Sequence, residues 1–291
     1  MSDGYTRELG AELRRLGVPA ARRRRLLLET EDHLRSDPGA LSRFGSAADI
    51  ARQCADELGT SGARRVSITA FAALAFAGLL FGVLMLAVFA TVPRHTILCC
   101  ATSSAPRSVA FAVLVVAPQV AFVSGVLAVV RAVRLRRRAA LPRSEVNVLR
   151  RRSAVALLSG AATMAALVAL VVQFASVLPG WLVPASYAAA SASVLLLAAA
   201  SLPLVVTSRV RVQTAGAAGD VFSDLGPVVP APVRGHPWVF AGICALAVAL
   251  VVFAPGLVAD DGYDAALRGA AEAIACLAGF AVLGRFLSLR S

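Results

Sequence analysis

The sequence lacks the short motifs by which the common enzyme classes are recognised. It contains no glycine-rich phosphate loop, no HExxH pair, no nucleophile elbow and no cluster of metal ligands at coordinating spacing. It also contains no lysine, so arginine supplies its basic side chains. We therefore expect no enzymatic activity, no cofactor and no bound metal.

The balance of apolar and charged residues excludes an ordinary water-soluble protein. Of the 291 residues, 58% are hydrophobic, and the formal net charge is +12. Soluble domains contain about 45–50% apolar residues, and a chain so far above that range cannot bury the excess. The basic residues fall mainly beside apolar runs, where they set topology and attract anionic lipid. The lipid bilayer is therefore the expected partner, and direct binding of nucleic acid is not expected.

One basic stretch, residues 131–152, fixes the expected orientation. It holds nine arginines and connects two long apolar runs. Short loops rich in arginine stay on the cytoplasmic side of the membrane during insertion. We therefore predict a multi-pass protein of the cell membrane whose N-terminus and C-terminus both lie in the cytoplasm. No cleavable signal peptide is expected, because the N-terminal region carries charge throughout.

Six apolar runs each reach the roughly 20 residues that a helix needs to cross the hydrocarbon core. Continuous spans of this kind are helices, because a helix satisfies its own backbone hydrogen bonds in lipid. The predicted fold class is all-α: a cytoplasmic three-helix domain over residues 1–65 and a six-helix transmembrane domain over residues 66–291. The predicted spans are residues 66–92, 108–130, 154–178, 185–207, 238–258 and 265–287.

The N-terminal region has the pattern of three short amphipathic helices. Their predicted apolar stripes are Tyr5, Leu9, Leu13 and Leu16, then Leu27, Thr30 and Leu34, then Ala47, Ile50, Cys54 and Leu58. Gly17 and Pro19 predict a turn between the first two helices, because glycine tolerates a left-handed cap and proline suits a first helical turn. Ser46 and Asp49 predict an N-terminal cap for the third helix, and Gly59 predicts its end.

A unit of about sixty-five residues buries too little apolar surface for a secure independent core. We therefore expect it to be supported by the membrane surface, by a second copy of the chain or by a partner. The sequence leaves these three alternatives open, so a homo-oligomer is one of the expected arrangements.

Four short motifs in this region carry a family resemblance. They are Tyr5-x-x-x-Leu9, Glu29-Thr30-Glu31-Asp32-His33-Leu34, Phe44-Gly45 and Ala51…Asp56-Glu57-Leu58-Gly59. Together they resemble the bacterial HAAS (DUF1700-like) domain over about the first quarter of the chain. The resemblance implies a cytoplasmic helical signalling module, joined to transmembrane helices and associated with PadR-type helix-turn-helix regulators. A related permease-prefix module looks similar, although no long permease domain follows here.

The acidic block of the second helix is the candidate partner-binding site. With the resemblance, Glu29, Glu31, Asp32 and His33 would form a docking surface for a cytoplasmic regulatory protein. The alternative is a solvated helix face on which His33 packs at the margin. Carboxylates and imidazole can also ligate metal, but Glu29 and Asp32 point away from the apolar stripe, while His33 lies at its margin.

Two glutamines and one pair of opposite charges fall within the predicted spans: Gln119, Gln173, Arg268 and Glu272. Ionisable residues in a bilayer are costly, so they either pair or mark a functional path. Arg268 and Glu272 are four residues apart on a helix and can neutralise each other. Gln119 and Gln173 can hydrogen-bond across helices. A structural pair and a ligand or ion path both remain open.

Two functions of different classes are consistent with this sequence. The first is a membrane-anchored regulatory protein whose N-terminal helices contact a cytoplasmic partner such as a PadR-type regulator. The second is a transporter or permease subunit with a path near Arg268 and Glu272. The second would gain support if Gln119, Gln173 and Glu272 converged on one cavity.

Overall fold

The computed structural model describes residues 2–37, 39, 45–91, 105–176, 178–219, 236, 238–239, 241–247, 249–250 and 262–286. Within these residues all regular secondary structure is helical, as the sequence predicts. The long helices are α1 (Ser2–Arg15), α2 (Ala20–Ser36), α3 (Ala47–Thr91), α4 (Ala105–Arg134), α5 (Arg143–Phe174), α6 (Leu182–Ser208) and α7 (Gly262–Phe286).

Four helices are long and apolar enough to cross a membrane. The segments that meet this criterion are Ala47–Leu84, Val109–Arg134, Arg143–Phe174 and Leu182–Ser208. A shorter apolar stretch, Gly269–Ala281, lies in α7. Of the predicted span at residues 238–258, the structure describes 238–239, 241–247 and 249–250, and the rest of this prediction lies outside the described residues. The described part of the chain is therefore that of a helical membrane protein.

The membrane-spanning part is built around α3. This helix packs against α4, α5 and α6, while α4 also packs on α5 and on α7. Alanines line much of the buried contact, and small side chains let helix backbones approach closely in a membrane. The central cluster is Ala70, Ala73, Phe81, Leu157, Met164, Leu167, Ala190, Leu197 and Ala200.

The N-terminal helices share a separate apolar cluster. Its buried members are Leu9, Leu13, Leu16, Val18, Ala47, Ala51, Ala55 and Val210. The stripe expected in α1 is confirmed, and Gly17 adopts the left-handed conformation with φ of +76°. The cap of α3 is confirmed too, since the Asp49 amide donates to Ser46 Oγ at 3.1 Å. In α3 the fully buried face passes through Ala51 and Ala55, while Ile50, Cys54 and Leu58 are only partly buried.

The prediction that the third helix ends at Gly59 is wrong. Residues 47–91 form one α-helix that runs from the N-terminal cluster into the spans. Gly59 and the nearby Gly62 serve close packing instead, because a Cβ added at either position would collide with Val212 or Thr207. Gly59, a residue type that often ends a helix, is here the point at which the segment containing Val212 crosses α3.

The basic stretch is more helical than a simple loop. Helix α4 continues to Arg134 and α5 begins at Arg143, so only residues 135–142 lie between them. Residues 209–219, which follow α6 without regular structure, lie beside this connection. We call residues 209–219 the strap. We call the end of the bundle that carries the strap, the basic stretch and the N-terminal helices the basic end.

Candidate functional site: the junction at the basic end

A buried ion pair lies at the centre of the basic end. Arg131 at the end of α4 donates to Glu145 in the first turn of α5, from Nε to Oε2 at 2.7 Å and from Nη2 to Oε1 at 2.8 Å. The exposed fractions of the two side chains are 3% and 6%. Removing charges from water is costly unless the geometry is good and the remaining polar atoms are satisfied. Here both conditions hold, because the pair has two parallel hydrogen bonds and further partners.

Those further partners are in the strap. The amide of Gly219 donates to Glu145 Oε1 at 2.8 Å, and Arg131 Nη2 donates to the carbonyl of Gly219 at 2.7 Å. Nearby, the hydroxyl of Ser144 donates to the carbonyl of Gly216 at 2.6 Å. One end of the strap is therefore bound to the end of α4 and the first turn of α5 through both its donors and its acceptors.

The middle of the strap is bound to α3 by a second buried carboxylate. Asp56 accepts hydrogen bonds from the amide of Gln213 at 2.6 Å and from the amide and hydroxyl of Thr214 at 3.2 and 2.5 Å. The residue is only 6% exposed. A carboxylate that accepts several backbone amides in this way is a strong local anchor.

The start of the strap joins the N-terminal helices. The amide of Arg211 donates to the carbonyl of Leu16 at 2.9 Å, at the end of α1. Val210 is buried in the N-terminal cluster. Val212 is buried in a third cluster, with Ala63, Ala132, Leu141, Val146 and Leu149. The strap thus contacts α1, α3 and α5, and it supplies an apolar side chain to two separate clusters.

Arginines and one threonine complete the junction by binding backbone groups. Arg64 of α3 donates to the carbonyls of Leu135 and Arg138, just after α4. Thr60 accepts the amide of Leu141 at 2.9 Å. Arg150 of α5 donates to the carbonyl of Thr207, near the end of α6. Thr207 lies in the last turn of α6, whose carbonyls lack partners within the helix, whereas Leu135 and Arg138 lie in the turn that follows α4.

The residues predicted to bind a partner lie elsewhere, on the outer face of α2. Glu29, Glu31, Asp32 and His33 are all exposed, while Thr30 and Leu34 face the protein. Glu29 pairs with Arg25 at 2.7 Å and Glu31 with Arg35 at 3.1 Å. The hydrogen bond to Glu29 raises the pKa of Arg25.

Glu29 also lies at the rim of a groove of about 590 Å³ between α2 and α3. The groove is lined by polar and apolar side chains, among them Arg22, Leu26, Cys54 and Glu57. Its charged lining residues are two arginines and two glutamates, so the groove has no dominant charge.

Two of the predicted intramembrane polar residues meet. Gln119 of α4 donates from Nε2 to Glu272 Oε2 of α7 at 2.9 Å. Gln173 lies near the end of α5, and no hydrogen bond to either residue is seen among the described side chains. The side chain of Arg268 lies outside the described part of the chain, so the expected pair of Arg268 with Glu272 remains a prediction.

Sequence reasoning missed the junction. One signal was present: Glu145 is the only acid within residues 131–152, and a single carboxylate among nine arginines is expected to find one of them. Asp56 belongs to one of the motifs of the resemblance, but no comparable signal marked its partners in the strap, which are 157 and 158 residues away. Among the described residues, no three histidines, cysteines or carboxylates come together as metal ligands.

The chain matches no family model, no curated protein and no solved structure.

Proposed function

We propose that this chain is a membrane-anchored regulatory protein whose N-terminal helices contact a cytoplasmic partner. The proposal includes six spans, both termini in the cytoplasm, and docking at Glu29, Glu31, Asp32 and His33. The resemblance of the N-terminal motifs to the HAAS domain suggests a helix-turn-helix regulator of the PadR type as that partner. The observation that carries the proposal is the attachment of the N-terminal helices to the spans through the junction.

This attachment gives docking a consequence in the membrane. Helix α3 belongs both to the N-terminal cluster and to the spans, so the two parts cannot rotate independently about a flexible linker. The strap closes the same unit from the other side, through Leu16, Asp56 and Glu145. A partner that displaces α1 or α2 would therefore strain the strap, and a rearrangement of the spans would move the docking surface. Such a two-way linkage is what a regulatory membrane protein requires.

Co-purification from native membranes tests the docking surface. The variant Glu29→Ala/Asp32→Ala removes two exposed acids, one of them in an ion pair, and solvated charges of this kind contribute little to folding. The matched control is Glu8→Ala/Glu12→Ala on α1, which also removes two acids, one paired with Arg15 at 2.8 Å. A soluble protein should be retained by the wild type and the control and depleted with the α2 variant.

Finding no soluble protein with the wild type, or equal amounts with both variants, would remove the support for docking at α2. The transporter function would then be the better supported of the two candidates.

The hydrogen bond between Gln119 and Glu272 favours this second candidate. It places a carboxylate against a polar side chain between two apolar helices, where an ionisable group is costly and often functional. In proteoliposomes with an imposed membrane potential, a proton or cation path would give a flux that Glu272→Gln lowers. A flux equal to that of protein-free vesicles would leave only a structural role for the pair.

A further inference from the structure

A lateral groove runs along the outside of the bundle between α5 and α6. Its volume is about 820 Å³. Met164 and Leu197 form its floor and are each only 6% exposed, while Leu158 and Val194 on its rims are 71% and 52% exposed. Small side chains such as Ala161 and Ala165 keep it wide. The groove is therefore an apolar furrow that opens directly toward the lipid.

Toward the basic end, an exposed arginine lies beyond the lining residues of each helix. Arg151 precedes Ala154, the first lining residue of α5, by three residues, and it continues the face formed by Ala154, Leu158 and Ala165. Arg209 follows Leu204, the last lining residue of α6, by five residues. At a rise of 1.5 Å per residue, the backbone of each arginine lies within roughly 8 Å of the end of the groove along the helix axis. A guanidinium side chain can cover that distance.

Arg151 differs from its two neighbours in its contacts. Arg150 donates to the carbonyl of Thr207, and Arg152, which is fully buried, donates to the carbonyl of Leu127 at 3.1 Å. Arg151 is exposed and forms no hydrogen bond or ion pair within the described part of the chain. Of three consecutive arginines, two hold the helices together and the middle one faces outward.

We propose that this groove binds one anionic phospholipid. The phosphate lies between the guanidinium groups of Arg151 and Arg209, and one acyl chain lies along the furrow over Met164 and Leu197. Charge complementarity selects an anionic headgroup, because arginines at a membrane surface attract it. The apolar walls select an acyl chain, since the lining carries almost no polar side chain apart from Ser201. The site does not depend on the regulatory function proposed above.

Native mass spectrometry of the full-length protein in mild detergent tests the site. The probes are phosphatidylglycerol and phosphatidylcholine with identical acyl chains. We expect the wild type to retain phosphatidylglycerol in preference, and each of Arg151→Gln and Arg209→Gln to weaken its apparent binding about fivefold. The matched control is Arg136→Gln/Arg137→Gln, which removes two exposed arginines of the same basic end away from the groove. The double variant Arg151→Gln/Arg209→Gln is compared with this double control. If the control weakens phosphatidylglycerol binding as much, the arginines act as a general basic surface and the proposal fails.

A second pair of variants tests the apolar groove independently of charge. Ala165→Phe should fill the groove and reduce retention of both lipids, and Ala161→Leu is a smaller change with the same expected direction. Ala112→Phe, at an exposed position of α4, is the control and should change nothing. Elution volume and thermal unfolding identify any variant that does not fold. Unchanged lipid retention in folded Ala165→Phe or Ala161→Leu overturns the proposal. The proposal also fails if the wild type is a dimer that either variant dissociates, because a second copy of the chain would then occupy the groove.

Discussion

Arg131 and Glu145 each form a hydrogen bond to the backbone of the same residue, Gly219, in addition to their own two-point ion pair. The guanidinium donates to the Gly219 carbonyl, and the carboxylate accepts the Gly219 amide. Opposite charges are thus bridged by the backbone N–H and C=O of one strap residue. The ion pair that closes the connection between α4 and α5 is therefore also the attachment point of a segment that arrives from α6.

Breaking this ion pair should destabilise the protein more than breaking any exposed pair. Glu145→Gln leaves Arg131 buried beside an uncharged amide, and removal of one partner from a buried pair costs about 3–5 kcal/mol. Glu12→Gln is the control, because the pair of Glu12 with Arg15 is exposed and contributes at most about 1 kcal/mol. Thermal unfolding in detergent should separate the two variants clearly. The double variant Arg131→Met/Glu145→Gln should recover part of the loss, and a melting point of Glu145→Gln equal to that of the control would contradict the assignment.

Removing the carboxylate of Asp56 should loosen the middle of the strap. Asp56→Ala removes the charged acceptor of the part-buried hydrogen bonds from Gln213 and Thr214, and a hydrogen bond to a charged group contributes about 1.5–3 kcal/mol. Hydrogen–deuterium exchange should accelerate at residues 213–214 while the centres of α4 and α5 stay protected. Glu57→Ala changes the adjacent, exposed acid and is the control. Equal exchange in both variants would mean that Asp56 does not hold the strap.

Two glycines of the same helix should respond in opposite ways to alanine. Gly59→Ala forces the new methyl group against Val212 and should lower stability by about 1–3 kcal/mol, the usual range for overpacking. Gly78→Ala meets open space and should be neutral or stabilising, because alanine favours a helix. Thermal unfolding of the two variants measures the difference. If Gly59→Ala is the more stable of the two, the strap does not pass over α3 as described.

Cysteine labelling tests which side of the membrane the basic end faces. In a variant without native cysteines, Leu28→Cys lies on exposed α2 and Gly180→Cys lies between α5 and α6 at the opposite end of the bundle. A membrane-impermeant maleimide should reach Gly180→Cys in intact cells and Leu28→Cys only after permeabilisation. This expectation follows from the arginine-rich stretch. The reverse pattern would invert the whole topology and place the docking surface outside the cell.

Local patterns in the sequence predicted local structure well. The spacing of Leu9, Leu13 and Leu16 identified the buried face of α1, and Ser46 with Asp49 identified the start of α3. Each of these features depends on residues within a few positions of one another. Gly59 was misread for a related reason: its local tendency to end a helix was visible, whereas the crossing of Val212 was not.

The junction could not be predicted, because its contacts depend on how distant helices are arranged. The partners of Asp56 become neighbours only after α3, α5 and α6 have packed together. The meeting of Gln119 with Glu272 joins residues 153 positions apart. The sequence supplied these polar residues as candidates, and helix packing decided which of them met.

Val210 has a consequence for biosynthesis. It belongs to the apolar cluster of the N-terminal helices, yet it follows four helices that are long and apolar enough to cross a membrane. While the protein is being synthesised, the first three helices leave the ribosome long before this side chain does. Their cluster therefore lacks this apolar side chain until the strap has been synthesised. Packing of Val210 into this cluster would then be a late step in the folding of the newly synthesised chain.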